Sequence, residues 1–99
     1  MILVLRRWFV PESSRERLLR TCRDDLIPAW HKQPGIIRVE LYQSITGDHY
    51  VSSFLWENDE ARQKGTTAMI EAFPEFYAEL IPYERNAPEI FVVIDPPPP

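Results

Sequence analysis

Ninety-nine residues, 44% of them hydrophobic and 12% aromatic, are enough for one folded domain and exclude a disordered chain. A domain this short leaves much apolar surface exposed unless it packs against a partner, and a net charge of −4 argues against a nucleic-acid backbone in that role. The lone Cys22 excludes an intrachain disulfide and a thiolate metal site, so a reducing cytoplasm is the expected setting.

Ile2 to Val10 is rich in branched and aromatic side chains and ends at Pro11, which predicts a first strand. Its apolar run is too short for a membrane span of roughly 20 residues or for a signal-peptide core, so no membrane partner is expected. Alternation puts Ile2, Val4, Trp8 and Val10 on one face and Leu3, Leu5 and Phe9 on the other, and both faces need cover.

Ser13 and Glu16 have the spacing of a capping box, and Leu18, Leu19, Cys22, Leu26 and Trp30 then form a helical stripe. The charges around it, Arg15, Arg17, Arg20 and Arg23 interleaved with Glu16, Asp24 and Asp25, describe a solvated face. Pro28 should kink or end this helix, and Pro34-Gly35 enforces the break.

Ile36 to Thr46 and Asp48 to Trp56 predict a hairpin turning at Thr46-Gly47-Asp48. Asn58 caps a short helix from Asp59 to Lys64 that Gly65 should end, with Thr66 or Thr67 capping a second segment. In that segment Met69, Ile70, Phe73, Tyr77 and Leu80 share a face, and Pro74 marks a kink or a fresh start. Glu89 to Ile94 is the last strand. One domain over residues 1–95 and an extended proline tail over 96–99 complete the expected organisation.

The order β-α-β-β-α-β is the ferredoxin-like α+β pattern, a four-stranded antiparallel sheet with helices on one face. Leu3, Leu5, Phe9, Ile37, Val39, Leu41, Val51 and Leu55 would leave the other face apolar. A homodimer that closes two sheets face to face is the expected consequence.

Phe9-Val10-Pro11-Glu12 closing strand one, Pro34-Gly35-Ile36, and Trp56-Glu57-Asn58 running into Asp59-Glu60-Ala61 together resemble the antibiotic biosynthesis monooxygenase family of dimeric α+β barrels. The resemblance spans residues 1 to 94. It implies a cavity between sheet and helices, in which members oxidise small electron-rich aromatics, such as quinols, anthrones and polyketides, with molecular oxygen and no cofactor. Haem-degrading relatives carry an Asn on strand one and a Trp and a His on the later helix. Here the Asn position falls on Arg6, and 58–80 holds neither Trp nor His. Many members also place a His where this chain reads Thr66-Thr67-Ala68-Met69.

Arg6 and Arg7 interrupt an apolar strand and must point to opposite faces. Arg6, beside Val4 and Trp8, is the candidate catalytic cation: its planar fork suits a phenolate or enolate, although a structural pair with Glu40 or another acid would equally explain it. Arg7 is expected to pair across the dimer interface. His49 is the candidate general base, or else an exposed turn residue. His31 fits a favourable charge at a helix C-terminus.

Trp8, Tyr50, Phe54 and Trp56 share the helix-facing side of the sheet, with Phe73 and Tyr77 above and Tyr42 on the neighbouring strand, either as walls for a flat ring or as plain core. No residue set has metal-ligand spacing. The function expected is therefore a cofactor-independent monooxygenase of a small aromatic, and the alternative is a non-catalytic dimeric barrel that binds an apolar ligand or serves a structural role.

Overall fold

In the computed structural model, which describes residues 1–95, strand β1 runs over Ile2–Trp8, β2 over Ile36–Gln43, β3 over Tyr50–Trp56 and β4 over Glu89–Val92. They form one open antiparallel sheet in the order β2-β3-β1-β4. Between β1 and β2 lie helix α1 (Glu12–Thr21), a π-helical turn (Cys22–Leu26) and helix α2 (Ile27–His31). Between β3 and β4 lie α3 (Asp59–Ala72), α4 (Pro74–Leu80) and a 3-10 turn (Ile81–Tyr83). The fold is the ferredoxin-like α+β arrangement that the element order implies. The expected proline tail, 96–99, lies outside the described residues.

The helices cover one face of the sheet. Val4 and Trp8 from β1 and Tyr50, Ser52, Phe54 and Trp56 from β3 are all buried beneath them, as period-two alternation requires. Leu18, Leu26, Trp30 and Met69 descend from the helices to meet this row. Trp56, 1% exposed, anchors the corner where β3 turns into α3, and Asn58 caps that helix by accepting a 2.8 Å bond from the Ala61 N–H.

Four local expectations change. Helix α1 begins at Glu12 behind Pro11, whose φ of −56° and ψ of 142° already give the extended geometry of an N-cap. Ser13 is then inside the helix, no capping box forms, and Glu16 bonds Arg20 instead at 2.9 Å. At the other end the regular α turn gives way ahead of Pro28, as expected of a residue without a donor, while the helical run continues. The Ile27 N–H reaches back to the Cys22 carbonyl in a widened turn, which makes room for a residue that has no N–H and crowds the preceding turn.

Gly65 does not end a helix. It lies inside a continuous α3, because a Cβ there would sit 2.3 Å from the Trp56 ring. The glycine serves close packing of helix on indole, and the helix instead breaks at Phe73, with φ −128° and ψ 57°, before Pro74 starts α4.

A bulge in β2 between Ile36 and Arg38 shifts the register, so that Val39 faces Phe54's side and Tyr42 pairs with Val51. Val39 and Leu41 therefore pack into the helix-side core. Arg38, Glu40 and Tyr42 take their places on the open face, which is less apolar than simple alternation implies. Arg7 lies on that open face too and pairs within the chain with Glu89 of β4 at 2.6 Å.

Candidate functional site

Between the sheet and the helices lies a cavity of about 110 Å³. The floor is sheet: Arg6, Trp8, Leu41, Tyr50, Ser52 and Phe54. One wall is the stripe of the first helical segment, with Leu18, Leu19, Cys22, Leu26 and Trp30 all present, and the other is Thr66, Ile70, Phe76, Tyr77 and Leu80. The lining is almost wholly apolar, with a few directed polar groups, which is the composition of a small-molecule site.

Those polar groups are held in place. The Trp8 indole N–H donates to Ser52 Oγ at 2.9 Å, which fixes the ring plane and satisfies a buried hydroxyl. Arg6 Nη1 donates to both carboxylate oxygens of Glu84 at 3.1 Å, so the guanidinium stands at the wall with its orientation set from beyond the 3-10 turn. Arg15 Nε donates to the Val10 carbonyl at 3.0 Å. Trp30 lies 4.5 Å from Phe54 and 5.8 Å from Trp56 between ring centroids, a tilted aromatic cluster at one end.

Burial governs the titratable groups inside. It pushes the Cys22 thiol up to about 11 and the Tyr77 phenol well above its ordinary value, with Trp30 opposing the latter by hydrogen bonding. Both are neutral at physiological pH. Among the described residues, no Asp, Glu or His lines the cavity.

Of the aromatic residues singled out in the sequence, Trp8, Tyr50, Phe54 and Tyr77 line the cavity. Trp56 and Phe73 belong to the adjoining core instead. Tyr42 is excluded by the β2 bulge, which turns it to the open face, 47% exposed. His49 also stands apart, at the hairpin, with its ring stacked on Phe9 at 4.9 Å and Nδ1 2.7 Å from Asp48 Oδ1. Thr46 and then His49 hold the Asp48 carboxyl below its usual range. Arg6 and His49 thus do not converge on one ligand.

Among the lining residues not expected in the site from the sequence are Trp30, Phe76, Cys22, Ser52 and Leu41. Trp30 and Cys22 were visible in the helical stripe and needed only the inference that the stripe faces a cavity. Phe76 was hidden because the break at Phe73 resets the helical phase.

The surrounding fold recurs in solved structures. Rv0793 from Mycobacterium tuberculosis superposes with a TM-score of 0.77 at 18% identity, covering 95% of each chain. SnoaB, a cofactor-independent oxygenase from Streptomyces nogalater, does so with 0.73 at 16%, covering 99% of this chain and 97% of its own. A putative antibiotic biosynthesis monooxygenase from Nitrosomonas europaea gives 0.73 at 13%, covering 95% and 99%. These identities establish shared fold. No curated protein matches the sequence significantly. The antibiotic biosynthesis monooxygenase family model matches residues 1–73, most of the chain from β1 to the end of α3, and the protein belongs to that family.

Proposed function

We propose that the protein is a cofactor-independent monooxygenase acting on a small electron-rich aromatic, a quinol or anthrone in type. One observation carries this reading: the helix-side cavity is open, because Trp56 and Phe73 pack into the core beside it and do not fill it. An empty, largely apolar hollow with a cation at its wall suits a flat ring that carries a developing negative charge.

The chemistry asks little of the protein. A phenolic ring loses its O–H proton to water at the cavity mouth, and the resulting phenolate gives one electron to oxygen. The superoxide and ring radical combine through a new C–O bond, and the peroxide anion takes a proton back from water. The hydroperoxide then loses water, one of whose hydrogens comes from that ring carbon, to leave a carbonyl. One oxygen atom ends in the ring and the other in water. Arg6 steadies the phenolate, and the walls from Leu18 to Leu80 exclude solvent from the radical pair. Tyr77 and Cys22 remain protonated and take no proton from the ring.

The biological unit in this reading is a homodimer through the open sheet face. Leu3, Leu5, Val51 and Leu55 offer an apolar strip there, flanked by the Arg7–Glu89 and Arg38–Glu40 pairs. A monomeric mass in light scattering would remove the dimer. The half-buried free thiol of Cys22 suits a reducing compartment, the cytoplasm.

A binding-only role is favoured by one feature, the lack of a lining residue able to act as a base, among those described. Oxygen uptake separates the two. Chelator-treated protein is given anthrones, quinols and catechols, and saturable uptake that requires folded protein supports the oxygenase. Binding of these rings without uptake on any of them leaves a ligand-binding protein.

A further inference from the structure

Arg6 faces a second hollow as well. This cavity, of about 80 Å³, is lined by Arg62 and Thr66 from α3, by Pro88 and Ile90, by Val4 and Trp56, and by Arg6, Trp30 and Phe54. Arg6, Trp30, Phe54 and Thr66 also line the ring cavity, so the two hollows adjoin along these residues. Two arginines and a threonine therefore line one small space, and no carboxylate lines it among the described residues.

Both arginines keep donors in reserve. Arg6 bonds Glu84 through Nη1 alone, and Arg62 bonds Asp59 through Nε at 2.6 Å. The Nε and Nη2 of Arg6 and both terminal nitrogens of Arg62 have no hydrogen bond among the described residues. The side chains are 26% and 22% exposed, so the acids hold the forks in place while the free nitrogens, none of them shut off from solvent, face water. A neutral ring in the adjoining cavity would leave these donors to water. A carboxylate would satisfy them with charge-assisted bonds.

We infer that the second cavity is an acid subsite, in which Arg6 and Arg62 bind the carboxylate of an aromatic acid whose ring occupies the main cavity against Trp8, Trp30 and Phe54. The inference rests on the ring-binding reading above and narrows its substrate class to a monocyclic hydroxyaryl acid. The main cavity, about 110 Å³, is smaller than the roughly 150 Å³ that takes one benzene, so a single ring reaching into the second cavity fits better than a fused polycycle.

The test is equilibrium binding under argon, followed by tryptophan fluorescence, with 2,5-dihydroxybenzoate and its neutral counterpart hydroquinone. The acid should bind at least about tenfold tighter, the size of one charge-assisted contact. In Arg62→Gln the ratio of the two affinities should fall severalfold, to what Arg6 alone supports, and Arg62→Lys should retain more of it. Equal affinities in the native protein, or a ratio unchanged in Arg62→Gln, would overturn the subsite and leave the ring site standing. Arg62-dependent binding of the acid, with no oxygen uptake when the acid and the quinol panel are then tested in air, would remove the oxygenase reading and keep the subsite. Binding of neither compound would sink both.

Discussion

A Cβ atom on Gly65 would lie 2.3 Å from Cη2 of Trp56, closer than any real side-chain contact, so helix α3 rests its backbone directly on the indole. Trp56 is 1% exposed and cannot swing aside. Gly65→Ala should raise helix propensity by about 1 kcal/mol, yet overpacking costs typically 1–3 kcal/mol or more and should win. The expected result is a net loss of about 1–2 kcal/mol in unfolding free energy, read as a lower urea midpoint. A variant as stable as the native protein would show that α3 can lift off the sheet.

The Arg6–Glu84 pair separates stability from function. Arg6→Ala leaves Glu84, 13% exposed, without its cation, at a cost of about 1–3 kcal/mol. Oxygen uptake should fall with it. Adding Glu84→Gln to that variant removes the stranded charge and should recover most of the stability, while uptake stays low because the phenolate still has no cation. Recovery of both together would mean that Arg6 acts only through the fold.

How much of this was legible follows from the range of each interaction. Alternation in β1 and β3 is local, and it identified Trp8, Tyr50 and Phe54 on the helix side. The stripe from Leu18 to Trp30 is also local, and every member reaches the cavity. The β2 bulge carries no marker in Ile36-Ile37-Arg38, yet it inverts the parity of the strand and moves Tyr42 out and Leu41 in. Glu84 stands 78 positions from Arg6, and no spacing rule connects them. Gly65 looks like a stop in the sequence because glycine more often ends a helix than makes room for a ring, and only the tertiary contact distinguishes the two.

Trp8 and Ser52 form a polar contact inside an apolar cavity, at 6% and 7% exposure. Trp8→Phe removes the donor and leaves the hydroxyl unsatisfied, which should cost about 1–3 kcal/mol. Combining it with Ser52→Ala removes both partners, so the double variant should be less destabilised than the sum of the singles. The smaller ring also enlarges the cavity, and the affinity of substituted quinols should shift toward bulkier ones. Strict additivity in the cycle would show that the 2.9 Å bond contributes nothing.

Cys22 should make stability depend on alkaline pH. Burial raises its thiol from an ordinary value of 9.0 to about 11, so below pH 9 the group is neutral in both folded and unfolded chains and its contribution is fully present. Between those values the unfolded chain loses the proton and the folded one keeps it. Stability is therefore lost as pH rises through this window, on the order of 1 kcal/mol by pH 10. Tyr77 is shifted in the same direction from 10.0 and adds its own loss at higher pH. Urea midpoints at pH 7 and pH 10 for native protein and Cys22→Ala isolate the thiol, because Tyr77 is common to both. The native protein should lose more than the variant over this interval, and iodoacetamide at pH 8 should label its thiol far more slowly than in the urea-unfolded chain. Equal losses with rapid labelling would place Cys22 in water and open the cavity wall at that point.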